Sequence, residues 1–231
     1  MIVLLGVGAL LVTAACGRGG ARADAELHVA VATSLRRAVA DAGGRYEQRT
    51  GVRVDVVDAA TPTLLAQLAD VVRRAVGERP VRLATNTLVL VTPPGSTSGV
   101  AELAAPGTRV VMARANVPVG RYARAALPQL DSGPGFAAAV LRNLVSEEAN
   151  VAAVLARVAA GEADAGFVYR SEVVAESRVR VVPLVGVDLD IATTVAVVRR
   201  PRRHAHAAAF AQFLLSADGV AVLERHGLGA P

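Results

Sequence analysis

The chain has 231 residues, a formal net charge of +5, 53% hydrophobic but only 3% aromatic residues, no tryptophan and one cysteine. That length allows one large or two small domains with a true core built from Ala, Val and Leu, and a lone cysteine excludes an intramolecular disulfide. All the basic side chains are Arg, spread thinly except for Arg199, Arg200, Arg202 and Arg203, and no aromatics interleave with that run, so nucleic-acid binding is not expected.

Residues 2–15 form an apolar run, IVLLGVGALLVTAA, that ends in small residues directly before Cys16. The run has the length of a signal-peptide core and is too short for a bilayer span, which takes about 20 residues. The expectation is a signal peptide over 1–15, with Cys16 the lipid-modified first residue of an extracytoplasmic chain anchored to the cell membrane. The alternative is an ordinary secretory signal with an incidental cysteine. Residues 16–25 are small and polar and read as a tether behind the lipid anchor.

Residues 27–32 predict a short apolar strand. Over 34–48, Leu35, Ala38, Val39, Ala42 and Tyr46 share one helical stripe, and Gly51 ends that unit. Residues 52–57 predict the next strand, and Thr61-Pro62-Thr63 opens a second helix with proline in its first turn. A longer strand over 83–91 stops at Pro93-Pro94-Gly95. Further on come a strand at 109–112, helices at 119–127 and 150–160, strands at 165–169 and 191–198, and a last long helix at 205–215. Strands alternating with helices of this length argue an α/β fold with parallel sheets.

Four of the predicted strand-to-helix junctions carry small neutral hydrogen-bonding residues: Thr33-Ser34, Thr61-Pro62-Thr63, Asn116-Val117-Pro118-Val119-Gly120 and Asn150-Val151. A helix N-terminus has unpaired N–H groups and a partial positive charge, so each junction is a potential anion seat. Taken singly, each reads as an ordinary cap, because Ser, Thr and Asn are the usual N-caps. The signal lies in their number at the carboxyl ends of strands, where open α/β sheets bind ligands. Tyr169, at the end of a strand, brings a hydroxyl to the same edge.

The runs Val29-Ala-Val-Ala-Thr-Ser34-Leu, Asn116-Val-Pro-Val-Gly-Arg-Tyr-Ala123 and Ala165-Gly-Phe-Val-Tyr169-Arg-Ser171 resemble the periplasmic molybdate-binding proteins of ABC importers. The resemblance covers most of residues 26–231, with the Val-Pro-x-Gly-x-Tyr-Ala run its most specific part. It implies an α/β fold: a two-lobed periplasmic binding protein with parallel-rich sheets flanked by helices and a ligand cleft between lobes. Lobe 1 would comprise 26–90 and 193–231, and lobe 2 would comprise 91–192. It also implies a receptor for molybdate or tungstate that docks on a membrane permease, acts as a monomer, and needs no cofactor and no bare metal cation. The implied ligands are Ser34, Thr61, the Val119 and Val151 N–H groups, and Tyr169. Thr61 departs from the family's usual serine but keeps a donor, and Asn150 stands where an acidic residue is common.

A larger departure lies between Asp70 and Leu83, where the family carries another core strand. Here 71–80 reads VVRRAVGERP, roughly fifteen to twenty residues short of what that strand and its connection need. Two other readings stay open on sequence grounds: a receptor for sulfate or another small anion, and a degenerate lipoprotein that has lost its ligand. A donor-only site favours fully deprotonated anions, because phosphate keeps a proton near neutrality and would need an acceptor.

Other candidates carry less. His204 and His206 stand two apart at a helix start and so face different sides, and His28 and His226 find no partner at a useful spacing. The serines lack a Gly-x-Ser-x-Gly setting and no His and Asp fall in a nucleophilic pattern, so enzyme activity is not expected.

Overall fold

The computed structural model describes residues 2–3, 26–58, 81–96, 98–130, 133–197 and 204–231. In chain order the first elements are β1 (Ile2–Val3), β2 (Glu26–Val31), α1 (Arg36–Thr50), β3 (Arg53–Asp58), β4 (Val81–Asn86), β5 (Leu88–Thr92) and β6 (Val110–Ala113). After them come α2 (Pro118–Ala126), α3 (Phe136–Arg142), β7 (Leu144–Glu148), α4 (Val151–Ala159), β8 (Ala165–Tyr169), α5 (Arg170–Val173) and β9 (Arg180–Pro183). The chain finishes with β10 (Ile191–Val197), α6 (His204–Leu215) and α7 (Ala217–Arg225). They form two compact units, one of Met1–Thr85 with Ala192–Pro231 and the other of Asn86–Ile191.

The first unit holds a sheet of order β3-β2-β1-β10-β4, with β2 parallel to both β1 and β3 and β10 antiparallel to β1. The predicted stripe of α1 packs on this sheet: Leu35, Ala38, Val39, Ala42 and Tyr46 join Val29, Val31, Leu83, Phe210 and Leu214 in one buried cluster. Tyr46 meets the Phe210 ring edge-on at 5.1 Å, an arrangement aromatic quadrupoles favour. Each large apolar side chain withdrawn from water here contributes about 1.5–3 kcal/mol. Gly51, at φ 72°, ends α1 in the left-handed region, where a residue without Cβ carries no steric cost. Two histidines that spacing leaves alone do find carboxylates. Parallel pairing sets His28 opposite Asp55, 2.9 Å apart, and Asp41 meets His226 at 3.2 Å.

The second unit has a sheet of order β7-β6-β8-β5-β9. Strand β6 runs parallel to β7 and β8, whereas β5 runs antiparallel to β8 and β9. All residues of β5, β6 and β8 are buried, as in strands covered on both faces. Gly166 lets α4 sit directly on β8, since a Cβ there would lie 2.9 Å from Val154 Cγ1 and 3.0 Å from Val158 Cγ2.

Several expectations change. The strand predicted over 83–91 is two strands separated at Thr87, because β4 joins the first sheet and β5 joins the second. Buried Asn86 holds that break: its Oδ1 accepts from the Thr87 N–H at 2.9 Å and its Nδ2 donates to Ser171 Oγ at 2.8 Å. The boundary placed after residue 90 therefore falls after Thr85, and the return crossing lies between Ile191 and Ala192. The sheets are mixed rather than wholly parallel, since β5 and β10 reverse direction. Cys16, the tether, Thr61 with its helix and the short interval 71–80 all lie outside the described residues.

Candidate oxyanion-binding site

Three of the five expected ligands belong to the second unit, and the sheet topology brings them to one edge. Strands β7, β6 and β8 are adjacent and parallel, so their carboxyl ends point the same way. Four residues separate β6 from α2, two separate β7 from α4, and Tyr169 is the last residue of β8. The register confirms a common level, with Ala113 opposite Glu148 and Val111 opposite Gly166.

The α2 start is shaped by a tight turn. The Val117 N–H donates to Arg114 O at 2.9 Å, and the first intrahelical bond runs from Arg121 N–H to Val117 O at 3.0 Å. Pro118 occupies the first helical position and brings no N–H, and Val117 supplies no side-chain cap. The first-turn N–H groups of Val119 and Gly120 thus have no intrahelical acceptor. Gly120 is required by packing: a Cβ would stand 2.2 Å from Arg114 O and 2.3 Å from Ala113 O. Arg124 braces the same turn from below, donating to Ala113 O at 2.9 Å and Gly120 O at 3.0 Å.

At α4, Asn150 is the N-cap in extended conformation, and its Oδ1 accepts from Ala153 N–H at 2.9 Å. This cap takes up the third-position donor and leaves Val151 N–H at the open end of the helix. The neutral amide is what this position needs, so the departure from an acidic residue costs no cap. The neighbouring carboxylates are engaged elsewhere: Glu147 pairs with Arg124, while Glu148 accepts from Ser146 Oγ at 2.6 Å and pairs with Arg157.

Tyr169 is only 4% exposed, and its hydroxyl is buried with no hydrogen-bond partner among the described residues. Burial pushes the phenol well above its ordinary range, reinforced by Tyr122 and opposed by the Arg121 charge. It is therefore a neutral donor throughout the physiological range. An orphaned buried hydroxyl costs about 1–3 kcal/mol, so native structures seldom keep one without use. Tyr122, in the same sequence run as Val119, anchors its own hydroxyl on Asp190 O at 3.3 Å.

In the first unit, Ser34 lies in the 3₁₀ turn Thr33–Leu35 between β2 and α1, half-buried, at the carboxyl end of a parallel strand. Sequence reasoning missed Arg124 and the packing role of Gly120. The Val-Pro-x-Gly spacing signalled the glycine, but no local pattern signals an arginine that braces a distant carbonyl. Among the described residues, no group of three or more His, Cys, Asp or Glu is placed to hold a metal ion, and no single helix is long and apolar enough to cross a membrane.

Two α/β units with strand-end donors are the build of a solute-binding protein. Residues 71–229 match the bacterial extracellular solute-binding proteins, and the chain belongs to that family. The molybdate-binding proteins ModA of Mycobacterium bovis and Mycobacterium tuberculosis are each 30% identical to this chain, covering 88% of it and 84% of their own length. Among solved structures, the substrate binding domain of a putative molybdenum ABC transporter from Clostridium difficile superposes with a TM-score of 0.71 at 25% identity, covering 90% of this chain and 99% of that one. The Azotobacter vinelandii periplasmic molybdate-binding protein reaches 0.71 at 18% identity over 90% of this chain and 100% of its own, and shares the fold. So does the sulfate-binding protein SubI of Mycobacterium tuberculosis, with a TM-score of 0.66 at 16% identity over 85% and 83%.

Proposed function

We propose that this chain is an extracytoplasmic receptor that captures molybdate or tungstate and delivers it to an ABC importer. The carrying observation is the buried, unpartnered Tyr169 hydroxyl at the strand edge where α2 and α4 begin. A neutral donor without an acceptor fits an acceptor-rich anion, and two helix N-termini on the same edge add N–H groups and partial positive charge. The relatives' names point to the same ligand class.

The proposed donors are Tyr169, the N–H groups of Val119 and Val151, and the hydroxyls of Ser34 and Thr61. Donors of this kind discriminate against hydrogen phosphate, whose proton would face another donor. The chain acts as a monomeric carrier rather than an enzyme, held at the membrane by lipid on Cys16, with an ABC permease as its protein partner.

The test is a thermal-shift titration of the full chain with molybdate, tungstate, sulfate and phosphate. Binding to the folded state stabilises by RT ln(1 + [L]/Kd), about 2.7 kcal/mol at a hundredfold excess over Kd. The expected result is a rise with molybdate and tungstate and none with phosphate. A flat response to all four from a cooperatively melting chain refutes receptor function, and a response to sulfate alone replaces the ligand.

A further inference from the structure

We propose that Asn86 and Ser171 are positioning residues for the Tyr169 hydroxyl: bonded to each other, they set the aim of a donor that neither of them hydrogen-bonds. The inference rests on Tyr169 serving as an anion donor, as proposed above.

A hydroxyl that makes no hydrogen bond among the described residues has nothing of its own to fix its direction. Tyr169 is held instead by the packing of its ring and by the backbone on either side of it. On one side the backbone is a ladder rung, with Tyr169 opposite Leu88 where β8 pairs antiparallel with β5. On the other side the strand ends, because Tyr169 is the N-cap of α5, which has only four residues. A helix of one turn does not hold itself in place.

Its seat comes from residues 86 and 87. The register that sets Leu88 against Tyr169 continues outward, bringing Thr87 to Arg170 and Asn86 to Ser171. The Arg170 N–H donates to Thr87 O at 2.8 Å, and Asn86 Nδ2 donates to Ser171 Oγ at 2.8 Å. The second bond is therefore a side-chain rung added where the backbone ladder stops.

Burial gives that rung its weight, since Asn86 is 8% exposed and Ser171 is 9% exposed. Asn86 also spends its Oδ1 on the Thr87 N–H at 2.9 Å. One amide thus clamps its own backbone with its oxygen and α5 with its nitrogen. A leucine would leave both partners unpaired, and an aspartate would carry a charge into a buried spot. Asn86 is also the first residue of the second unit, following Thr85. The clamp fixes the donor to the point where the chain enters that unit, across 85 residues of sequence.

The test is a double-mutant cycle in molybdate affinity, read by calorimetric titration of the full chain. Ser171→Ala removes the acceptor of Asn86 Nδ2 and should weaken binding roughly tenfold, within the bound set by losing the Tyr169 donor altogether. In a Tyr169→Phe background the same substitution should change affinity by less than about twofold, because no hydroxyl is left to aim. Ser171→Thr keeps a hydroxyl and should keep most of the affinity. Equal losses in both backgrounds, or no loss in the wild-type background, overturn the proposal and leave the receptor reading intact. Failure of the wild type to bind molybdate, tungstate or sulfate overturns both. If Ser171→Ala does not melt cooperatively, Asn86→Ala breaks the same bond from the other side and takes its place in the cycle.

Discussion

Replacing Tyr169 by Phe separates a ligand donor from a structural one, because the two roles predict opposite signs. The substitution removes one oxygen and keeps the ring that fills the end of β8. Among the described residues that oxygen is buried without a hydrogen-bond partner, so its removal is expected to leave ligand-free stability unchanged or raise it by up to about 1 kcal/mol. For a chain of this length 1 kcal/mol corresponds to about 2–4 °C in Tm. In the complex the same oxygen would donate to an anion, a hydrogen bond worth about 1.5–3 kcal/mol. At about 1.4 kcal/mol per factor of ten, Tyr169→Phe should weaken oxyanion binding roughly 10- to 150-fold. Calorimetric titration with molybdate gives the affinity, and scanning calorimetry of the ligand-free chains gives the stability. A fall in ligand-free Tm of several degrees with unchanged affinity would refute the reasoning and make the phenol a structural group.

Gly120→Ala is expected to destabilise the second unit by at least about 2 kcal/mol and to weaken oxyanion binding, because its Cβ would overlap two carbonyl oxygens and push α2 from its seat. Gly44→Ala is the contrast: nothing lies within 4 Å of that Cβ inside α1, and urea denaturation should show a gain of about 0.5–1 kcal/mol. Asn150→Ala removes the α4 cap and should cost about 1 kcal/mol by the same measurement, with Asn150→Asp restoring stability through an equivalent oxygen. Asp164 accepts from the Arg109 side chain and backbone; the side-chain hydrogen bond first, against opposing burial, holds its carboxyl below the usual range. A depressed carboxylate stabilises the fold above its unfolded pKa and loses that effect as pH falls through the folded one. Wild type should therefore exceed Asp164→Asn by about 1 kcal/mol at pH 7, with the difference closing below about pH 4 in melts taken across pH.

What the sequence determined alone is what repeats locally. The α1 stripe, the left-handed stop at Gly51, the Asn150 cap and the bounds of β8 follow from side-chain period, φ freedom and short-range hydrogen bonding. The proposed donors at 119 and 151 stand in the first turns of helices that follow strands, and the one at 169 ends a strand; family resemblance is what joined them into a set. Tertiary structure alone decided which strands pair. It split 83–91 between two sheets, set His28 against Asp55, and seated Ile2–Val3 between β2 and β10. It also buried the Tyr169 hydroxyl without a hydrogen-bond partner among the described residues. These outcomes depend on groups far apart in the chain, whose meeting is fixed by pairing and burial of whole elements; period and propensity carry no information about it.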